Sequence, residues 1–454
     1  MKRVDVVVGL GYGDEGKGSI VDYLTRRHGA KLVVRFNGGA QAGHRVVLPD
    51  GRSHVFSQFG AGTLAGAATH LSRHVVVNPI AMMRESQVLN LTHDLDPFAR
   101  TTVERDALVT TPFHVAMNRL REIVRGAGRH GSCGMGVGET VRDALATPLP
   151  SRSLRARDLS SPTALALKLR DIQDQKRREA WTLDTSDLRG EAEAAFKREL
   201  GVILDPMMVE EIEERFDAFA RVALIVGPEW LRSELKKDQA VVFEGAQGVL
   251  LDQDHGFHPH TTWSDCTFNN AMGLLAGYDG EVSRIGVTRA FATRHGAGPL
   301  VSEDERLRPL VEDDHNATGE WQGSFRVGTL DLVALRYARD VLSGVDQVAL
   351  THVDKIDHYC EYVDGFVVDE YEVPPAKDDL FHEAPRRIRA LRHEEVVDLA
   401  RQERLTSLLR KVTPVTSSWH TSIVTHTLDC VATAMKAPVT IVSRGPSHAD
   451  KTER

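Results

Sequence analysis

Residues 9–19 read Gly-Leu-Gly-Tyr-Gly-Asp-Glu-Gly-Lys-Gly-Ser and follow the apolar run Val4–Val8. Glycines let backbone N–H groups approach an anion closely, and the N-terminus of a following helix adds partial positive charge. The expected product is a phosphate cradle. Gly11, Gly16 and Lys17 fit G-x-x-x-x-G-K, with Gly18 where a P-loop carries Ser or Thr. Gly13, Glu15, Gly16, Lys17 and Gly18 are thus candidates to hold a nucleotide. Asp14 and Glu15 would repel phosphate unless a cation or a chemical role offsets them, so the loop is more specific than a generic nucleotide loop.

Four more segments carry chemistry. Asn37-Gly-Gly-Ala-Gln-Ala-Gly-His44 also follows a strand-like run, and imidazole can donate a hydrogen bond to a reacting phosphate oxygen. A satisfied structural histidine is the alternative. Phe243-Glu-Gly-Ala-Gln-Gly248 offers the Gln247 amide, donor and acceptor, to the edge of a base. Behind it come Asp254, His255, His258 and His260, which could also be read as metal ligands, and Thr261-Thr262. Thr351-His-Val-Asp354 ends an apolar run; its carboxylate can accept from the two N–H donors of guanine, or simply cap a helix. Val442-Ser-Arg-Gly-Pro446 would close over a base or form a plain turn.

These segments need a frame. Val4–Val8, Leu32–Phe36, Val75–Val77, Ala240–Phe243, Gln347–Thr351 and Val439–Ser443 read as buried, mostly parallel strands. Ser161-Pro162 starts a helix with Leu165, Leu169 and Ile172 on one face; residues 207–238 read as one or two helices and Glu394–Leu409 as another. The expected class is α/β. One large doubly wound, mostly parallel sheet spans 1–454 as a single domain, with a helical insertion at about 150–238 packed on it. Ligands then sit beyond the carboxyl ends of the strands. A net charge of −8 over 454 residues provides no basic field for nucleic acid, and no apolar run is long enough to span a membrane. Four separated cysteines without C-x-x-C point to a reducing cytoplasm.

Together the segments resemble the adenylosuccinate synthetase family. The family's G-D-E-G-K-G is Gly13–Gly18, its second glycine loop is Gly38–His44, and its E-G-A-Q-G-x-L-L-D-x-D-H-G is Glu244–Gly256. Its T-R-x-G-A-G-P is Thr293–Pro299, and its guanine elements are Thr351–Asp354 and Ser443–Pro446. The resemblance implies a homodimer using Mg²⁺ and GTP, which phosphorylates a purine 6-oxo group and displaces that phosphate with the amine of aspartate. It implies Asp14 as base and Mg²⁺ ligand, Gly43 as a carbonyl ligand to Mg²⁺, His44 as acid, Lys17 as phosphate partner and Gln247 as the holder of the base. Asp354, Ser443, Gly445 and Pro446 would read guanine. Asn37, Gln41, Ser132, Cys133 and Thr262 would line the acceptor, with Thr318 and Arg326 on aspartate.

Departures cluster on the acceptor side. Ser132-Cys-Gly-Met-Gly-Val-Gly-Glu139 stands where the family has T-T-G-R-G-I-G-P, so Cys133 and Met135 replace a phosphate-binding Thr and an Arg. A family arginine that reaches the partner's acceptor falls near Thr147, with only Arg142 close by. Ala317–Arg326 keeps few of the family's arginines. Arg52, Arg119 and Arg121 are candidate substitutes. The expected activity is GTP-dependent ligation of aspartate to a purine nucleotide such as IMP or a close analogue. The alternatives are a paralogue acting on a non-IMP or non-purine acceptor, a kinase stopping at the phosphorylated intermediate, and a GTP-binding protein without catalysis.

Overall fold

The computed structural model describes residues 2–146, 153–311, 321, 323–363, 365–374, 386–417 and 423–454. Its centre is a ten-stranded sheet, whose strands we number in chain order. They are β1 (Arg3–Gly9), β2 (Leu32–Arg35), β3 (Ala68–Leu71), β4 (Thr101–Glu104), β5 (Leu224–Val226), β6 (Ala240–Glu244), β7 (Glu281–Arg289), β8 (Gln347–Thr351), β9 (Val439–Ser443) and β10 (Lys451–Glu453). The order across the sheet is β10-β9-β8-β7-β1-β6-β2-β3-β4-β5. All pairs are parallel except the edge pair β9–β10.

The residues explain this placement. Along β1, Val4, Val6 and Val8 enter one apolar cluster, while Val7 enters the cluster on the other face with Ile20, Val21 and Leu24 of helix Lys17–His28. A strand buried on both faces is what a parallel sheet under two helical layers requires. β1 lies between β6 and β7, where the winding reverses. The loops after β1, β2, β6, β8 and β9 therefore emerge at the same edge, and that edge is where ligands sit in such sheets.

Three expectations need correction. Val75–Val77 is not in the large sheet: Val76–Val77 pairs with Leu108–Val109 in a separate two-stranded ribbon, and Val76 also bridges to Gly39. β3, β4, β5, β7 and β10 were not anticipated, because β3, β4, β5 and β10 are only three or four residues long and β7 interleaves polar residues. The region 150–238 is more than a cap. Its helices Pro162–Ala180, Gly190–Leu204, Met208–Val222 and Pro228–Leu235 are interrupted by β5, which forms the edge of the main sheet against β4. The predicted start at Ser161-Pro162 is seen, with Pro162 at the first helical position. Among the described residues, no helix is long and apolar enough to cross a membrane.

Candidate active site

The strand-end loops enclose a cavity of about 1250 Å³ lined by Asp14, Lys17, Gly43, His44, Gln247 and Asp354 among others. Non-glycine residues with left-handed backbones gather here: Asp14 (φ 59), Gln247 (φ 64) and His352 (φ 59) all line it. Such conformations cost about 1–3 kcal/mol each and persist where the fold overrides them, typically at functional sites.

The loop after β1 carries its own anion. Glu15 Oε1 accepts from the N–H groups of Gly11 (2.9 Å) and Gly13 (2.8 Å), and Oε2 lies 2.5 Å from Lys17 Nζ. Glu15 and Lys17 are both buried. Glu15 therefore braces the loop from inside and does not line the cavity, contrary to its expected place among the nucleotide contacts. Gly18 has a steric reason. A Cβ there would lie 2.8 Å from the Cβ and 2.9 Å from the carbonyl carbon of His44, so Ser or Thr is excluded by the second loop. Gly13, Gly16, Lys17 and Gly18 face the cavity.

His44 is buried and its Nδ1 lies 2.5 Å from Glu244 Oε1; Glu244 Oε2 accepts from the Ala61 N–H at 2.9 Å. Burial pushes the Glu244 carboxyl up, but the adjacent Arg35 and His44 outweigh it and hold it below the usual range. An ionised Glu244 fixes the Nδ1–H tautomer and leaves Nε2 for the cavity. Burial also lowers the His44 pKa, which Glu244 only partly restores. Asp14 Oδ2 lies 3.1 Å from His295 Nε2, and Arg289 Nε donates to the Asp14 carbonyl. Burial raises the Asp14 pKa, but the hydrogen bond and charge of His295, with Arg289 and Lys17, bring it down to about 2.

Asn37 is a correction. Its amide accepts from the Ala246 N–H (2.6 Å) and donates to the carbonyls of Ala246 (3.1 Å) and Asp265 (2.8 Å), pinning two loops together from a buried position outside the cavity. Gln41 does line the cavity. Thr262 lies on the cavity wall, with its N–H on the Leu251 carbonyl at 2.8 Å.

Asp354, Ser443, Gly445 and Pro446 meet at one end of the cavity. Thr351 Oγ1 donates to the Glu15 carbonyl at 2.7 Å, which joins this end to the phosphate loop. Buried Lys451 donates to the carbonyls of Gly445 (2.9 Å) and Ser447 (2.7 Å) and shapes the turn.

The opposite end is ion-paired. Ser132 Oγ accepts from Asn118 Nδ2 at 2.9 Å, and Cys133 lines the wall with its thiol pushed up to about 11 by burial. Buried Glu122 accepts from the N–H groups of Gly131 (3.1 Å) and Ser132 (3.4 Å) and from Arg125 (2.5 Å). Arg121 and Arg142 both pair with Glu139 and Glu179. Arg119 pairs with Glu199, and Arg52 with Asp50 in an exposed turn. Arg326 is a further correction. It pairs with Glu303, donates to the carbonyls of Gly296 (3.0 Å) and Gly298 (2.8 Å), and does not line the cavity. Thr318 and Thr147 lie outside the described residues.

Sequence reasoning did not single out Glu244 as the partner of His44, nor His295, Glu122 or Lys451. Glu244 had one signal, a carboxylate closing an otherwise apolar strand. The other three act through contacts distant in sequence. The candidate metal ligands between 254 and 260 do not converge: His258 bonds the Gln253 carbonyl, and His260 bonds the His130 carbonyl and Arg410. No group of three or more metal-ligating side chains occurs among the described residues.

The family profile described as adenylosuccinate synthetase matches residues 6–452. Similar curated proteins include the adenylosuccinate synthetase of Chlorobium chlorochromatii, 34% identical over 364 residues, which cover 78% of this chain and 77% of that one. That of Anaeromyxobacter sp. strain Fw109-5 is 35% identical over 384 residues, covering 82% and 83%. Among solved structures, fully ligated adenylosuccinate synthetase from Plasmodium falciparum shares the fold with a TM-score of 0.75 at 18% identity, covering 99% of each chain. Succinoaminodeoxyadenylate synthetase of cyanophage S-2L, bound to dGMP and dATP as an energy donor, gives 0.53 at 17% identity, covering 100% of this chain and 95% of that one. The chain belongs to the adenylosuccinate synthetase family and is a GTP-dependent carbon–nitrogen ligase.

Proposed function

We propose that the protein phosphorylates an oxo group of an IMP-like acceptor with GTP and displaces that phosphate with the amine of aspartate. The observation that carries this reading is the buried His44–Glu244 pair, which faces the same cavity as Asp14 and Lys17. A pure guanine-nucleotide binder needs neither an oriented imidazole nor an ionised carboxylate between the two ends of its site. Asp354, with Ser443 and Gly445, reads the guanine edge. Lys17 and the loop amides of Gly16 and Gly18 take the phosphates. Asp14 receives the proton leaving the acceptor's lactam nitrogen, and His44 Nε2 donates to the phosphoryl oxygens as charge develops. Gln247 holds the acceptor beside them.

The donors present suit Mg²⁺, which takes one or two carboxylates with the substrate's own phosphates. The ionised Asp14 carboxylate and the backbone carbonyl of Gly43, an exposed residue, both on the cavity wall, would hold it. Bound there, it would neutralise charge on the transferring phosphate. We further propose a single-domain cytoplasmic homodimer, which light scattering of the purified chain would test. The free thiols of Cys133, Cys266 and Cys430 suit a reducing compartment.

The deciding experiment follows product by mass with GTP, Mg²⁺ and aspartate. Asp14→Ala and His44→Ala should each lower turnover by about 10²–10⁴-fold while GTP still binds. A variant that retains more than about a tenth of the rate would sink the role assigned to that residue.

A further inference from the structure

The end of the cavity remote from Asp354 carries carboxylates where an anionic acceptor would need cations. Glu122, fully buried, occupies the N–H groups of Gly131 and Ser132, an amide pair that a phosphate could otherwise take. Among the described residues, Arg121, Arg125 and Arg142 line this end and are each ion-paired, while Arg294, beside His260, is spent on the carbonyls of Ala297, Pro299 and His260. Arg125 is on Glu122, while Arg121 and Arg142 share Glu139 and Glu179. The network closes on itself, with Lys176 bonded to Asp143 at 2.7 Å behind it.

The rest of this end is neutral. Trp263 is about half exposed to the cavity, against Gly138; a Cβ at Gly138 would lie 2.7 Å from the indole Cδ1. Val137 and Leu145 add apolar surface, and Asn118, Ser132 and Thr262 add uncharged hydrogen-bonding groups. The nearby imidazoles add no cation. Burial lowers the pKa of His130 and brings that of His260 to about 4. An indole wall with amide and hydroxyl groups suits a ring and its hydroxyls. A dianionic phosphomonoester would lie against a buried carboxylate, and among the described residues at this end every guanidinium is already bonded to a carboxylate or to backbone carbonyls.

We propose that the preferred acceptor carries no phosphate: a purine nucleoside, or a comparable lactam with a neutral hydroxylated substituent, with Glu122 as the residue that selects against the phosphomonoester. This rests on the GTP- and aspartate-dependent reading above. It does not alter the chemistry at the oxo group. GTP's γ-phosphoryl passes to that oxygen, the lactam proton leaves, and the aspartate amine then displaces inorganic phosphate.

The test compares inosine and 2′-deoxyinosine with IMP, at saturating GTP, Mg²⁺ and aspartate, by mass detection of the aspartate adduct and by phosphate release. Inosine should exceed IMP in kcat/KM by at least about tenfold, the discrimination expected of a like charge at partly screened contact distance. Glu122→Gln should shift the IMP-to-inosine ratio of kcat/KM toward IMP by at least about tenfold, whereas a merely structural Glu122 would lower both together. IMP used as well as or better than inosine by the wild type would overturn the proposal, whether or not the variant folds. Failure of both acceptors with GTP still bound also overturns the nucleoside assignment. Failure to bind GTP removes the underlying reading instead.

Discussion

Glu244 makes His44 a directional group. With Glu244 ionised and Nδ1–H committed to it, Nε2 can donate to a phosphoryl oxygen only when the ring is an imidazolium. Burial holds the free-state pKa of His44 below its ordinary value of 6.5. A bound phosphate raises it, so GTP should bind with proton uptake, and its affinity should weaken as pH climbs from the free-state pKa toward the bound-state one. Calorimetry in two buffers of different ionisation enthalpy would measure this; His44→Ala should lose the difference, and equal uptake in both proteins would refute it. Asp14 behaves oppositely: at about 2 its pKa keeps the carboxylate ionised across the working range. At the other end, a carboxylate that pairs two guanine donors is left unpaired against adenine. GTP should therefore support turnover and ATP should not, and Asp354→Asn should raise the KM for GTP while leaving that for the acceptor nearly unchanged. Comparable use of ATP would defeat that assignment.

The loops depend on close backbone approach. Gly18→Ala would place a methyl 2.8 Å from His44 Cβ and 2.9 Å from its backbone, so the two loops must separate. We expect a loss of about 1–3 kcal/mol in stability by chemical denaturation, together with a fall in turnover from the displaced imidazole. Unchanged kinetics would show that the loops tolerate separation. The same contact explains what the sequence made readable. The strand-plus-glycine pattern located the cavity loops after β1, β2, β6 and β9, because such loops must be tight and must follow buried strands. It could not distinguish an amide pointing at a ligand from one pointing at another loop. Asn37 and Glu15 have ligand-type chemistry yet act within the scaffold. Arg326 likewise answers to Glu303, a partner 23 residues away that no local pattern announces. Short strands such as Thr101–Glu104 were missed because their burial comes from neighbours in the sheet rather than from their own apolarity.

Across the molecule, the helical insertion and the sheet share one apolar cluster. Leu165, Leu169, Phe216 and Phe219 pack with Val33, Leu71 and Val103. Phe219→Ala should therefore cost about 3–5 kcal/mol and shift a single urea transition. Two separated transitions would show that the insertion folds on its own. The polar composition of 150–238 concealed this, since only one stripe of each helix is buried. The bond from the Thr351 hydroxyl to the Glu15 carbonyl reaches across 336 residues of sequence. It ties the end proposed to read the base to the loop proposed to hold the phosphates, and so makes the site a ruler. A guanine nucleotide is then measured for length as well as for identity: with its base seated at Asp354, only a phosphate chain of one span can bring its terminal phosphorus between Asp14 and His44.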